Sequence, residues 1–356
     1  KNLDEFDKVL LERSTPGSKM YQKWLSFDEV GAMTSNPSGA AAVQDWLKAN
    51  NIPVSWQSAH QDYIRASAPI SKWEQLLNTK FYKWEDKTRP RAKGHARMMH
   101  RAEHFSLPEE MTTHLSTVFN TVQVPPVFRA KYRQALKGEE TPRFKTEYAI
   151  SKSLRGKMAG ATAVDGTVTV AFLNEFYDIV TNMGSAAQSQ SVFETVEESY
   201  SPSDLKLFQQ TYGLTVQEAL HPYGFNTSDC VTYDCGEGNL DVQYIMGVAQ
   251  QTATIYWYVT ADDADTDPFV AWVTDIANTA NPPLANSMSW GSVEQANSQD
   301  VMDAFNTEAM KLTSMGVTVT VSSGDNGAGE DEDLCEVNSG GNIYLPWTVS
   351  YIPTIE

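Results

Sequence analysis

Glu237 and Asp241 stand four residues apart in the run Cys235-Gly236-Glu237-Gly238-Asn239-Leu240-Asp241-Val242-Gln243-Tyr244. On a helix that spacing puts both carboxylates on one face. The face continues through Tyr244 and Val248, seven and eleven residues beyond Glu237. A surface helix does not ordinarily run its acids into its apolar stripe, so the pair is expected to point into the body of its domain. Two close carboxylates in a poorly hydrated site cannot both ionise easily; one pKa rises and the pair can share a proton. Such a pair can serve as a general base that works in acid. The same spacing also fits an ordinary acidic first turn favoured by the helix dipole.

Two further stretches carry candidate chemistry. Ser322-Ser323-Gly324-Asp325-Asn326-Gly327 follows the predicted strand Val317–Ser322 and sets Asp325 in a tight turn at a strand's carboxyl end. A carboxylic acid kept protonated there could donate a hydrogen bond to a developing oxyanion, although Asp-Asn-Gly is also plain turn chemistry. Ser287-Met288-Ser289-Trp290-Gly291 ends another strand. It reads either as an edge that could pair with an extended peptide or as a strand running into a turn. His221 is the only histidine beyond residue 114, so a Ser-His-Asp triad has little material.

Metal chemistry has little material either. Cys230 and Cys235 are close enough for a small looped disulfide, which leaves Cys335 to find a partner outside this chain. With no second cysteine pair and one late histidine, zinc is not expected. Asp263, Asp265 and Asp267 mimic the start of a calcium loop, but Pro268 and Thr274 occupy its sixth and twelfth positions, which rules that loop out. The sequon Asn226-Thr227-Ser228 would suit an exported protein.

The elements that must hold these residues fall into two groups. Residues 1–86 read as a compact module with strands at Lys8–Arg13, Ile52–Gln57, Tyr63–Ala66 and Phe81–Trp84. Capping boxes at Ser26/Glu29 and Ser71/Glu74 open helices, and a third helix follows Asn36-Pro37 with Val43, Trp46 and Leu47 at helical spacing. The order β-α-β-β-α-β is ferredoxin-like. Residues 87–121 read as a basic, histidine-bearing linker and the module's end; Lys87, Arg89, Arg91, Lys93, Arg97 and Arg101 interleave with His95, His100 and His104. Residues 122–356 alternate strands and helices: strand Thr167–Phe172, helices Ser203–Tyr212 and Leu240–Gln251, strand Thr254–Val259, helix Pro268–Ala280, strand Ala285–Trp290, helix Asp300–Met315 and strand Val317–Ser322. That alternation predicts an α/β domain with a doubly wound parallel sheet, whose sites lie at the carboxyl ends of strands.

Charge divides the chain at nearly the same place. Residues 1–157 carry 25 Lys and Arg against 17 Asp and Glu, a net of +8; residues 158–356 carry 2 against 28, a net of −26, which together give the chain's −18. A basic front lying on an acidic back would bind near neutrality and weaken as carboxylates protonate around pH ~4. The linker histidines add a second set of groups that charge in acid. The acidic body argues against nucleic acid as a partner, and no apolar run reaches membrane-spanning length.

Taken together, E-x-x-x-D followed by V-Q-Y, then S-x-S-W-G, then S-S-G-D-x-G resemble the sedolisin family of serine-carboxyl peptidases, in its order and approximate spacing. The front module is similar to that family's activation domain through Leu11-Glu12-Arg13-Ser14, Tyr21-Gln22-Lys23-Trp24-Leu25-Ser26, Val43 to Leu47 with Trp46, and His100-Arg101-Ala102-Glu103-His104-Phe105-Ser106-Leu107-Pro108. The resemblance implies a subtilisin-like catalytic fold, incomplete in this chain. Glu237 would take the proton of a catalytic serine, Asp241 would orient Glu237, and Asp325 would donate to the oxyanion. Ser289, Trp290, Gly291, Ser323 and Gly324 would line the cleft for peptide or protein substrates. The family's serine motif and calcium site are expected downstream, since nothing after Gly327 matches the serine motif. The nucleophile would then come from a C-terminal catalytic segment, as a second chain, in a precursor held inactive by its prodomain and sent to the lysosome or the cell exterior. A sedolisin-like scaffold without a serine, acting as a binding or structural protein, is the alternative.

Overall fold

The computed structural model describes residues 3–90, 96–124, 168–195, 198–223, 230, 235–260, 267–291, 297–322, 336–337 and 343–344. At the front, α1 spans Leu3–Ser14, where a strand over Lys8–Arg13 was expected. Phe6 and Leu10 recur one turn apart on its buried side, Asp4 and Glu5 sit in its first turn and Arg13 in its last, a charge order that suits the helix dipole. The capping box at Ser26 forms as expected and opens α2, Phe27–Thr34. Asn36 accepts from the Gly39 amide at 3.3 Å and opens α3, Pro37–Ala49, whose Val43 and Leu47 pack with Ile52.

The rest of the module departs from the ferredoxin-like order. β1 (Val54–Gln57) pairs with β2 (Ile64–Ala66), and β3 (Phe81–Pro90) pairs with β4 (Ala96–Ala102), each as a separate antiparallel ribbon. Between them α4, Ile70–Leu76, starts at Pro69 with no side-chain cap. The Ser71/Glu74 box does not form because Glu74 turns away and accepts from the Phe81 amide at 3.0 Å. The basic run is not a free linker. Residues 96–102 are paired in β4, Arg101 is buried and its guanidinium donates to the carbonyls of Gln123 and His100, while His100 and His104 stay exposed. His95 lies outside the described residues.

The second part is a parallel sheet with helices on both faces. α5, Val170–Phe176, stands where the strand Thr167–Phe172 was expected; Thr169 caps it by accepting from the Phe172 amide at 3.0 Å. Then come β5 (Ser189–Thr195), α6 (Pro202–Thr211), α7 (Gly236–Val248), β6 (Ala253–Val259), α8 (Pro268–Ala277), β7 (Ala285–Met288), α9 (Gln299–Ser314) and β8 (Thr318–Val321). A short antiparallel pair, β9 (Glu336–Val337) with β10 (Ile343–Tyr344), follows. The strand order is β6-β5-β7-β8, all parallel. Alternation along the strands divides the core. Val192, Tyr256 and Tyr258 pack under α6 and α7 with Leu205, Val242 and Met246. Phe193, Trp257 and Val259 pack on the other face under α8 and α9, with Phe269, Trp272, Ile276 and Phe305. The chain leaves β5 toward β6 and returns across it to β7, so the strand order reverses between β5 and β7.

The front module lies along α8 and α9, on the face opposite α7. The Leu25 amide donates to Ser314 O at 2.8 Å, the Ala59 amide to Asn278 Oδ1 at 2.7 Å, and Thr117 Oγ1 to Asp300 Oδ2 at 2.7 Å. Phe6, Leu25 and Val30 share one apolar cluster with Met310 and Met315. Lys311, buried on α9, binds both Glu308 at 2.7 Å and Asp62 of the β1–β2 loop.

Candidate active site

Strand β5 delivers Glu194 at its carboxyl end, and β7 delivers Ser289 and Trp290 just past its own. The first turn of α7 delivers Glu237 and, one turn on, Asp241. These residues meet at the point where the strand order reverses, the usual place for a site in an open parallel sheet. Trp290 is 1% exposed and its indole N–H donates to Glu194 Oε2 at 2.9 Å. Ser289 Oγ donates to Asp241 Oδ2 at 2.7 Å. Glu198, from the segment after β5, is buried and accepts from the Gly238 amide at 3.1 Å. Glu194, Glu198 and Glu237 are all buried at this end of the sheet, with Asp241 half-buried beside them.

Four carboxyl groups in one dry site cannot all carry charge. Burial pushes Glu194 well above the usual carboxylate range, and the neighbouring Asp241, Glu198 and Glu237 push it further; the Trp290 hydrogen bond opposes this only in part. Its Oε1 finds no hydrogen-bond partner among the described residues. Burial likewise lifts Asp241 to about 6, against the lowering effect of the Ser289 hydroxyl. Glu237 holds the second position of α7, where the helix dipole favours negative charge. The site therefore combines acids that hold protons with one placed where an anion is favoured, the arrangement from which acid and base roles are assigned.

The expected pair Glu237 and Asp241 shares one helix with Ser289 in contact. Trp290, expected along a substrate cleft, points into the core against Glu194, and Gly291 is buried beside it. Ser322 donates its amide to Met288 O at 3.0 Å, beside the end of β7. Ser323, Gly324, Asp325, Asn226 and Cys335 lie outside the described residues. Cys230 and Cys235 form a disulfide with Cα atoms 5.4 Å apart, at the entry to α7. Glu194 and Glu198 were not foreseen. Their one signal is an acid-rich stretch, Glu194 to Glu198, after an apolar Val-Phe pair. Among the described residues no group of three or more His, Cys, Asp or Glu could hold a metal ion, and none of their helices is long and apolar enough to cross a membrane.

Residues 1–124 match the family described as "Pro-kumamolisin, activation domain". Tripeptidyl-peptidase 1 of Dictyostelium discoideum is 26% identical, the match covering 96% of this chain and 58% of that protein. Physarolisin of Physarum polycephalum is 26% identical over 93% of this chain and 53% of its own length. Tripeptidyl-peptidase 1 of Rattus norvegicus is 24% identical over 92% and 55%. A solved Pseudomonas sedolisin, a serine-carboxyl proteinase complexed with pseudo-iodotyrostatin, overlaps 43% of each chain with 23% identity and a TM-score of 0.32, too slight a superposition to add weight. The front third of the chain is an activation domain. The chain is similar to these peptidases over more than nine-tenths of its length, and it spans about half the length of the curated relatives it matches.

Proposed function

We propose that this chain is the activation domain and first part of the catalytic domain of an acid-acting serine-carboxyl peptidase, made as an inactive precursor. The observation that carries the reading is the placement of Glu237 and Asp241 on one face of α7, packed against further carboxyls at the switch point of the sheet. Glu237 accepts the hydroxyl proton of a serine supplied from outside residues 1–356 as its oxygen attacks a peptide carbonyl. Asp241, protonated in acid, orients Glu237. Glu194 and Trp290 back Asp241 from the core. Asp325 donates its proton in a hydrogen bond to the oxyanion, and Glu237 passes the serine's proton to the departing amine. Ser289, Gly291, Ser323 and Gly324 border the substrate. Calcium would bind at ligands outside this chain, and the mature enzyme would work in a lysosomal or extracellular acid compartment. Tripeptide removal from a free N-terminus and internal cleavage both fit this machinery.

The test uses the complete protein after removal of the activation domain, assayed on peptides between pH 3 and 7. Glu237→Gln and Asp325→Asn should each lower kcat at least a hundredfold with the fold intact by circular dichroism. Retained activity in Glu237→Gln would overturn the base assignment. No acid peptidase activity in the unmutated complete protein would favour a binding scaffold instead.

A further inference from the structure

Helix α7 has a weak beginning. Its first three residues are Gly236, Glu237 and Gly238, so the candidate base stands between two glycines. Glycine has the greatest backbone freedom to lose, and a helix start also leaves its first amides without intrahelical partners. The residue that should cap those amides, Cys235, makes no side-chain cap hydrogen bond, and its sulfur is joined to Cys230. On local sequence alone, this turn would fray and Glu237 would wander.

The missing cap comes from 40 residues earlier. Glu198 Oε1 accepts from the Gly238 amide at 3.1 Å, on a first-turn donor that an N-cap side chain ordinarily satisfies. Glu198 is 2% exposed, so water does not compete for the bond. The fit is close. A Cβ at Gly238 would overlap the Ser199 carbonyl oxygen and come within 2.8 Å of Tyr256 Oη. The next residue adds a second tie: the Ser201 amide donates to Asn239 Oδ1 at 2.8 Å. The carbonyl of Cys235 accepts from the Asn239 amide at 3.0 Å, which continues the same turn. A glycine at 238 therefore costs the helix order but lets the 198–201 segment approach closely enough to supply the cap.

We infer that Glu198 is a positioning residue for the reaction, a remote N-cap that fixes the first turn of α7 and so sets where the Glu237 carboxylate stands. The inference rests on Glu237 being the base. It predicts that an uncharged side chain with a carbonyl oxygen at the same reach does most of the work, because the task is to accept an amide hydrogen.

The experiment uses the complete protein, with kinetics and residue-level amide exchange on the same samples. Glu198→Ala should speed Gly238 amide exchange at least tenfold while amides of α9 keep their protection. It should also lower kcat at least tenfold with KM within about threefold. Glu198→Gln should recover Gly238 protection and bring kcat back to within about threefold of the parent. Unchanged Gly238 exchange in Glu198→Ala overturns the inference, whatever activity does. So does an equal loss of kcat in the Ala and Gln variants. If Glu198→Ala does not fold, Glu198→Gln alone decides: near-parental exchange and kcat support the cap, and a tenfold loss refutes it. Glu237→Gln serves as the separate control, since full activity there removes the base assignment while the exchange result on Glu198 still stands.

Discussion

Lys311 is the sharpest place to test how the activation domain is held. It is one of two cations in residues 158–356, its side chain is 1% exposed, and it neutralises both Glu308 and Asp62. Lys311→Met keeps the length and removes the charge, leaving the buried Glu308 and the partly exposed Asp62 without their cation, with Tyr63 and His60 close by. Only the Lys311–Asp62 contact crosses to the front module, and losing this charged hydrogen bond should cost about 1–3 kcal/mol, on the order of five- to a hundredfold in docking equilibrium. The exposed Arg65–Asp275 pair, at 3.0 Å with the side chains 51% and 40% exposed, should cost no more than about 1 kcal/mol when broken. The readout is amide exchange, corrected for intrinsic rate, at Leu25 and Ala59, whose amides cross to Ser314 and Asn278.

The pH dependence follows from the same groups. Burial raises Glu308 from 4.5 to about 7 despite Lys311. A raised acid stabilises docking fully below its ordinary value and loses that contribution as pH climbs through about 7. Asp62 is held below its ordinary 3.8, burial opposing but Lys311 and Ser58 prevailing; its contribution is present above 3.8 and fades as pH falls below that. This clasp should therefore tighten from pH 7.5 to about 4.5 and let go only in stronger acid. Leu25 and Ala59 protection changing by less than about 0.5 kcal/mol in Lys311→Met at pH 7.5 would refute the reasoning, as would steady loss of protection in the parent between pH 7 and 5.

Two other outcomes are expected. Ser289→Ala removes the hydroxyl that lowers Asp241, so the alkaline limb of the pH–rate profile, set by Asp241 losing its proton near 6, should move up; a downward move would contradict the assignment. Gly316 sits at φ +82° with its hydrogen face against the Trp24 ring, so Gly316→Val should weaken docking by about 1–3 kcal/mol, read at the same Leu25 amide, and undiminished protection there would count against that contact.

Parts of this arrangement were legible because single residues announced them. Ser26 with Glu29, Asn36-Pro37 and Pro268 mark helix starts that the structure keeps, and the spacing of Glu237 and Asp241 was enough to turn both inward. Strand β5 was not legible, although it lies at the centre of the sheet. Four of its six buried residues are polar, and three of these bond across strands: Ser191 Oγ donates to Asn286 Oδ1 at 2.6 Å, Gln190 Nε2 to Thr254 Oγ1 at 3.0 Å, and Thr195 Oγ1 to Val259 O at 2.8 Å. Hydropathy cannot register such a strand, and Glu194 was missed with it. The segment Thr167–Phe172 misled in the opposite way, its β-branched run giving way to the cap at Thr169. The charge asymmetry was real but did not name the clasp. Its best-shielded ion pair runs the other way, an acid from the basic front on a lysine from the acidic back, because charges held away from solvent attract more strongly than many screened ones.

The apolar cluster shared by Phe6, Leu25 and Val30 with Met310 and Met315 bears on what happens after release. The first two helices of the activation domain do not close their apolar cluster alone; Met310 of α9 and Met315 just past it pack against Phe6, Leu25 and Val30. Once detached, they carry an uncovered greasy face, and any return journey competes with their unravelling and digestion. Were the domain shed, that face would make the step one-way, a ratchet whose tooth is a pair of methionines, Met310 on α9 and Met315 just past its end.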